Sequence, residues 1–191
     1  MKEFSAGNTI VLHSVIPLSR VNGPGSRIVV FFQGCGHNCS GCFNPATHAS
    51  HGGSRWNPDA LLERHVNDGI DGITVSGGEP FDQPHGLRGL LQNAREKYRL
   101  PTIVYTGYSY RALVRSRERR ACLPYIDLLI DGKYDLSRRE DSLLARGSTN
   151  QRFFFLTDRY DYDDLFLPAK AEIRIGRDGE VTKTGFSRIE F

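Results

Sequence analysis

Phe31-Phe-Gln-Gly-Cys-Gly-His-Asn-Cys-Ser-Gly-Cys-Phe-Asn-Pro45 joins the end of an apolar run to three closely spaced cysteines. Cys35, Cys39 and Cys42 have the spacing C-x3-C-x2-C, and no fourth cysteine follows nearby. Three thiolates can bind three irons of a [4Fe–4S] cluster and leave the fourth iron open, whereas electron-transfer clusters are usually held by four cysteines. The spacing therefore indicates a cluster that takes part in catalysis.

Two alternatives to a cluster stay open on spacing alone. A C-x2-C pair is also typical of structural zinc, and His37, His48 or His51 could complete a Cys3His site. A disulfide framework fits poorly, because 191 residues contain only 4 cysteines and the N-terminus has no signal-peptide pattern. Cys122 stands next to an apolar stretch, and we interpret it as an ordinary buried cysteine.

Composition and charge limit the possible classes of protein. Hydrophobic residues make up 39% and charged residues 25%, which is typical of one globular domain at this length. No apolar run approaches the ~20 residues that a membrane helix needs, so we expect no membrane association and a cytoplasmic location. The basic stretch 111–120 is interrupted by Glu118 and has no aromatic residues interleaved, which favours a solvated helix face over nucleic-acid binding.

Short apolar runs alternate with longer amphipathic segments along the chain. This pattern predicts strands at 9–15, 27–33, 72–75, 102–105, 126–130 and 153–156. Helices are predicted at 58–66, 83–98 and 110–119, the first capped by Asn57 and the last by Ser109. Segments 172–175 and 180–183, joined by a Gly-containing turn, predict a terminal hairpin. Strands that alternate with helices indicate an α/β fold built from parallel units.

Four unusual segments each begin directly after a predicted strand. They are the cysteine loop, Ser76-Gly-Gly-Glu-Pro80, Thr106-Gly-Tyr108 and Asp131-Gly-Lys133. The carboxyl ends of parallel strands meet at one edge of a sheet or barrel, where active sites gather. We therefore expect these four segments to meet in space, although each of the last three, taken alone, could be a plain turn at a strand end.

The cysteine loop and the Gly-Gly-Glu-Pro segment, in this order, resemble the radical S-adenosylmethionine enzymes. Asn22-Gly-Pro-Gly25, Tyr105-Thr-Gly-Tyr108, Ile130-Asp-Gly-Lys-Tyr134 and Arg146-Gly-Ser-Thr-Asn-Gln151 extend the likeness over residues 22 to 152. These segments are most similar to those of the small activating enzymes of glycyl radical enzymes, in particular the branch that serves anaerobic ribonucleotide reductase.

The resemblance implies an incomplete β/α barrel, which we expect to span residues 1–157. We expect residues 158–191, which contain the predicted hairpin, to form a C-terminal extension packed on the same domain. It also implies a mechanism. S-adenosylmethionine binds the open iron, and one electron, delivered by a flavodoxin or ferredoxin, breaks a carbon–sulfur bond of the cofactor. The 5′-deoxyadenosyl radical formed in this way removes a hydrogen atom from a glycine Cα of a partner enzyme. The cofactor carries the chemistry, and the protein positions it.

The same resemblance implies the residues of the site. Cys35, Cys39 and Cys42 would bind the cluster, and Gly77, Gly78 and Glu79 would hold the amino end of the cofactor. The remaining residues that would border the cofactor are Gly41, Phe43, Thr106, Tyr108, Asp131 and Lys133.

Three features depart from the family pattern. Gly41 stands where many radical enzymes have an aromatic residue, and Glu79 stands where the reductase-activating branch often has Asp. Residues 158–191 extend past the usual end of the family, which leaves the identity of the partner open.

Two other radical-enzyme functions remain as alternatives. One acts on a small molecule, as in the 7-carboxy-7-deazaguanine synthase family, which has similar cysteines and a similarly reduced barrel. The other modifies a peptide, but the chain shows no further Cys-rich region for additional clusters.

Overall fold

The computed structural model describes residues 9–176, 179 and 181–186. The described strands and helices, in chain order, are β1 (Ile10–Ser19), β2 (Arg27–Phe32), β3 (Ser54–Trp56), α1 (Pro58–His65), β4 (Gly72–Gly77), α2 (Pro84–Glu96), β5 (Thr102–Thr106), α3 (Tyr110–Arg115), α4 (Arg117–Arg120), β6 (Leu128–Asp131), β7 (Arg152–Phe155), β8 (Ala171–Ile175) and β9 (Val181–Gly185). No described helix has the length and apolar character needed to cross a membrane.

Seven strands form one mixed sheet in the order β3-β1-β2-β4-β5-β6-β7. The four central strands β2, β4, β5 and β6 run parallel to one another. The outer strands β1, β3 and β7 pair antiparallel to their neighbours. The α/β class is therefore confirmed, and each of the four predicted strand-end segments follows one of the parallel strands. The short edge strand β3 was not expected, because three residues are too few to show a periodic pattern.

The central strands are buried on both faces, as expected when a parallel sheet has its faces covered. On one face Ile28, Val30 and Phe32 of β2 share a core with apolar residues of α1 and α2. On the other face Ile103, Leu128 and Ile130 pack with residues from the loops that follow β6 and β7, namely Leu144, Ala145, Leu165 and Leu167. Residues of the C-terminal segment, Leu165 and Leu167, thus belong to the core of the main sheet.

Local capping explains where the helices begin and end. The Asn57 side chain accepts hydrogen bonds from the backbone N–H groups of Asp59 at 2.9 Å and Ala60 at 3.1 Å, which confirms the predicted start of α1. The single helix predicted over 110–119 is wrong. Ser116 adopts an extended conformation, with φ −89° and ψ 126°, so it ends α3 and its side chain caps α4.

β8 and β9 form a separate antiparallel pair in which Ile175 lies opposite Val181. The predicted second strand at 180–183 is shifted to Val181–Gly185, and Glu180, its first expected residue, lies outside the described part of the chain. The buried Asn22 side chain donates a hydrogen bond to Thr184 Oγ1 at 2.8 Å. This bond joins the hairpin to the loop before β2. The division into residues 1–157 and 158–191 stays a prediction.

Candidate active site

A cavity of about 400 Å³ lies at the carboxyl ends of β2, β4, β5 and β6. Each of the four strand-end segments contributes to its lining, as the parallel arrangement of the strands led us to expect. From these segments come Cys35, Cys39, Cys42, Gly77, Gly78, Glu79, Thr106 and Gly132.

The cysteine loop folds back on itself so that its three cysteines line this one cavity. Gly34, Asn38 and Gly41 have φ values of +94°, +48° and +69°, a region that glycine and asparagine enter most readily. Cys42 N donates to the Cys39 carbonyl oxygen at 3.2 Å, which closes the tight turn around Gly41. The spacing of the cysteines and the residues between them therefore bring three sulfur atoms to one wall of the cavity.

The thiols have the chemistry that an iron–sulfur cluster requires. Within the described residues they form no disulfide, and all three are partly exposed. Burial raises the pKa of the Cys35 thiol, and the charge of Glu79 adds to this effect, so the unbound side chain favours the neutral thiol. The N–H of Asn44 donates to Cys42 Sγ at 3.4 Å, a contact that tunes the potential of such clusters. The donor set fits a cluster bound by three cysteines.

The zinc alternative requires several ligands around a single ion. In the described part of the chain, no three His, Cys, Asp or Glu side chains are arranged to hold one ion. A cubane cluster differs, because each thiolate binds a different iron.

Cys122 is buried, its thiol donates to the Pro84 carbonyl oxygen at 3.3 Å, and burial raises its pKa to about 12. The interpretation of Cys122 as a buried core cysteine is confirmed.

Gly77, the last residue of β4, and Gly78, which follows it, allow this strand end to lie directly against the cysteine loop. Gly78 N donates to Phe32 O and Glu79 N donates to Gly34 O, both at 2.8 Å. A Cβ at Gly77 would overlap the backbone N of Phe32, and one at Gly78 would overlap the Gly34 carbonyl oxygen. Glycine is required here by close packing of two loops, in addition to any approach of a ligand.

The Glu79 carboxylate joins three of the strand-end segments. It is 1% exposed. Its Oε1 accepts from Phe81 N at 3.0 Å and Thr106 Oγ1 at 2.8 Å. Its Oε2 accepts from Gly107 N at 2.8 Å and lies 3.0 Å from His37 Nε2. Both oxygens are hydrogen-bonded within the protein, so the carboxylate holds the loops around the cavity that Glu79 lines. The expected contact with the cofactor ammonium group stays a prediction.

Asp131 was expected to border the cofactor but does not line the cavity. Its buried carboxylate accepts two hydrogen bonds from Arg152, at 2.9 and 2.6 Å, and one from Tyr110 N at 2.6 Å. The reason is that β7 pairs antiparallel with β6 and sets Arg152 directly opposite Asp131. The carboxylate is therefore part of the scaffold.

Tyr108 and Lys133 also lie away from the cavity, in a separate depression that they share with Gly36 and Asp82. The Tyr108 hydroxyl donates to Asp82 Oδ1 at 2.7 Å, and its ring lies under the Arg119 guanidinium, with the Arg119 carbon 3.8 Å from the ring centre. Burial and Asp82 raise the Tyr108 pKa to about 12. Gly41 forms the turn between the second and third cysteines and is not itself a lining residue.

Phe43 lines the cavity as expected, and its ring contacts residues that the sequence did not single out for the site. The ring centre lies 4.9 Å from that of Tyr134 and 6.3 Å from that of Phe186. Further lining residues that were not among the expected site residues are Tyr105, Gly147, Gln151, Lys183 and Thr184. No local pattern marks the hairpin residues as part of the site, because only the tertiary fold brings them there.

Gln151 gives the Gly147–Gln151 segment a structural role. Its Oε1 accepts from Gly147 N at 2.9 Å and Ser148 N at 3.2 Å, and its Nε2 donates to Gly132 O at 2.9 Å. The segment thus braces the loop that follows β6.

The 4Fe-4S single cluster domain family matches residues 21–154, which is more than half of the chain. The chain therefore belongs to this family of radical S-adenosylmethionine enzymes, whose cofactors are a [4Fe–4S] cluster and S-adenosylmethionine. More particularly, it is 36% identical over 149 residues to the anaerobic ribonucleoside-triphosphate reductase-activating protein of Vibrio cholerae. This alignment covers 73% of the chain and 94% of the relative. The likeness to activating enzymes inferred from the motifs is confirmed.

Two further proteins are similar over about half of the chain. The pyruvate formate-lyase-activating enzyme of Clostridium pasteurianum is 38% identical over 105 residues, covering 52% of this chain and 44% of that protein. QueE from Escherichia coli aligns in three dimensions over 52% of this chain and 53% of its own, with 16% identity and a TM-score of 0.43. The latter likeness is too low to carry an argument.

Proposed function

We propose that this chain is an activating enzyme that cleaves S-adenosylmethionine reductively and generates a glycyl radical on a partner enzyme. The observation that carries the proposal is the convergence of Cys35, Cys39 and Cys42 with the Gly77–Glu79 segment on one cavity of about 400 Å³. Small-molecule sites generally fall in the range of ~300–1,000 Å³, so a nucleoside cofactor fits at this scale.

The three cysteines would bind three irons of the cluster. When bound, the cluster and S-adenosylmethionine would supply one-electron cleavage of a carbon–sulfur bond and removal of a hydrogen atom from a glycine Cα. The protein's own part is positioning. Glu79 holds the cysteine loop and the loop after β5 at fixed distances, and Phe43 and Tyr134 supply apolar walls beside Cys42.

The partner is a glycyl radical enzyme in this proposal. The names of the relatives favour an anaerobic ribonucleoside-triphosphate reductase, with a pyruvate formate-lyase as the other possibility. A flavodoxin or ferredoxin would deliver the electron. The mixed sheet would correspond to an incomplete β/α barrel, which leaves room for a loop of the partner to reach the cavity.

Anaerobic reconstitution of the full chain with iron and sulfide tests the proposal. We expect a brown protein with about four irons per chain, which forms 5′-deoxyadenosine when it is reduced in the presence of S-adenosylmethionine. A colourless protein that holds one tight zinc ion would refute it.

A matched pair of cysteine variants tests the assignment of the ligands. Cys39→Ala should abolish cofactor cleavage while the chain stays folded, because one iron loses its ligand. Cys122→Ala should retain the cluster and cleavage, because Cys122 is buried away from the cavity. Persistence of cleavage in Cys39→Ala would exclude Cys39 as a cluster ligand.

Mixing the reduced enzyme with a candidate partner separates an activase from an enzyme of small molecules. An activase produces a radical signal on the partner in electron paramagnetic resonance, in proportion to the 5′-deoxyadenosine formed. A small-molecule enzyme forms none on any protein.

A further inference from the structure

The C-terminal hairpin forms one wall of the cavity that holds the cysteines. Lys183, Thr184 and Phe186, at the end of β9 and just after it, line this cavity. The family match ends at residue 154, so the hairpin lies outside the part of the chain that defines the family. A segment added to the family domain has therefore been placed at the reaction cavity and not on a remote surface.

Phe186 links this wall to the cysteine loop through its aromatic ring. The ring is nearly perpendicular to that of Phe43, at 87°, with the ring centres 6.3 Å apart. It also lies 5.9 Å from the ring of Tyr105 in β5. Because Phe43 directly follows Cys42, the hairpin contacts the residue next to a cluster ligand.

The position of Phe186 is fixed by hydrogen bonds and by one required glycine. Phe186 N donates to Lys170 O at 2.7 Å. Gly185 has a φ of +106°, and a Cβ at this position would overlap the same carbonyl oxygen. Thr184, one residue earlier, is tied to Asn22 by a bond between two side chains that are each 7% exposed. Thr184 thus ties the wall to the loop before β2, and Lys170 fixes Phe186 to the start of the same hairpin.

We propose that Phe186 is a specificity-determining residue that closes the side of the reaction cavity next to Phe43. With this side closed, the cavity admits an extended main-chain segment with no side chain at the reacting position, and it excludes water and bulkier reactants. An active site that is shielded from water suppresses the side reactions of reactive species. The inference rests on the proposed function, because it concerns how the cleaved cofactor is coupled to a glycine.

One test needs neither cluster nor cofactor. In the metal-free full-length chain, Phe186→Ala should raise the rate of Cys42 alkylation by iodoacetamide roughly threefold or more, because loss of the ring that contacts Phe43 opens the cavity beside the neighbouring thiol. Phe186→Leu, which keeps an apolar side chain there, should stay close to the original rate. Ile175→Ala is the matched control, because Ile175 lies on the same hairpin, is 75% exposed and does not line the cavity.

A second test uses the reconstituted enzyme with its partner. Phe186→Ala should raise the ratio of 5′-deoxyadenosine formed to glycyl radical formed about threefold or more, while Phe186→Leu and Ile175→Ala leave this ratio unchanged. Unchanged alkylation and an unchanged ratio in Phe186→Ala would overturn the inference. If the parent enzyme cleaves no cofactor at all, the proposed function fails. The alkylation rates alone then decide whether Phe186 closes this side of the cavity.

Discussion

Two charged side chains, each 1% exposed, lie at opposite ends of the central strands. Glu79 follows the carboxyl end of β4, and Arg27 is the first residue of β2 at the amino end. Each uses its whole hydrogen-bonding capacity on groups of the protein, as a buried charge must. They differ in what they hold together. Glu79 joins loops that line the cavity, whereas Arg27 joins the amino-terminal ends of strands at the opposite end of the sheet.

Arg27 has no carboxylate partner among its described contacts. Its guanidinium donates to Thr74 Oγ1, Ile73 O and the Tyr160 hydroxyl, each at 2.7 Å. Further bonds go to the carbonyl oxygens of residues 101 and 24, at 3.0 and 3.1 Å. Burial lowers its pKa from the ordinary value. A buried charge with all of its hydrogen bonds formed therefore stabilises the fold at the amino ends of the strands, and a second one positions the site at their carboxyl ends.

Replacing Arg27 should give the largest change in stability. In Arg27→Met three carbonyl oxygens and two hydroxyls lose a buried donor, and each unsatisfied group costs ~1–3 kcal/mol. We expect the free energy of unfolding to fall by at least about 3 kcal/mol, measured by urea denaturation of the metal-free chain.

The control for this change is Arg55→Met on the exposed edge strand β3, which should alter stability by less than about 0.5 kcal/mol. The folded fraction of Arg27→Met should still take up a full cluster. A variant of normal stability that could not hold a cluster would contradict the division of roles between the two ends.

Replacing Glu79 should affect the reaction more than the fold. In Glu79→Gln an amide N–H₂ group must face the N–H donor of either Gly107 or Phe81, so at least one contact is lost. We expect a loss of about 1–3 kcal/mol in unfolding free energy. Cofactor cleavage should fall about tenfold or more, because the loops around the cavity are displaced.

Glu63→Gln is the matched control, since Glu63 is exposed on α1 and contributes nothing to the cavity. Iron content should be the same in both variants and in the parent. If Glu79→Gln cleaves the cofactor at the parent rate, Glu79 does not position the site.

Glu79 and Arg27 also illustrate how much of the fold and the site can be predicted from the sequence. The parallel strands, the cysteine loop and the meeting of four strand-end segments follow from apolar runs and from the spacing of Gly and Cys, which are local patterns. The partners of Asp131 could not be foreseen, because they depend on the register between β6 and β7. The same holds for Arg27, whose partners lie up to 133 positions away in the chain.

Asp131, like Glu79, lies at the carboxyl end of a central strand, but its carboxylate is hydrogen-bonded away from the cavity. Asp131→Asn weakens the bonds to Arg152 and Tyr110 N, and we expect a loss of about 1–2 kcal/mol in unfolding free energy. Cleavage by the folded enzyme should stay within about twofold of the parent, as measured by 5′-deoxyadenosine formation. Loss of cleavage at normal stability would return Asp131 to the list of cofactor contacts.

Replacing Tyr160 should give the smallest effect. It tests whether the C-terminal segment contributes to stability through its hydrogen bond with Arg27. Tyr160→Phe removes one of the five acceptors of Arg27 and should lower the unfolding free energy by about 1 kcal/mol.

Burial raises the pKa of Tyr160 from its ordinary value of 10.0, which means that the fold favours the neutral phenol. Its contribution is therefore complete below pH 10 and is lost as the pH rises through the raised folded-state pKa. Comparing urea midpoints of Tyr160→Phe and the parent at neutral and alkaline pH should show the difference between them shrinking above pH 10. A constant difference would mean that ionisation of the Tyr160 phenol is not coupled to unfolding.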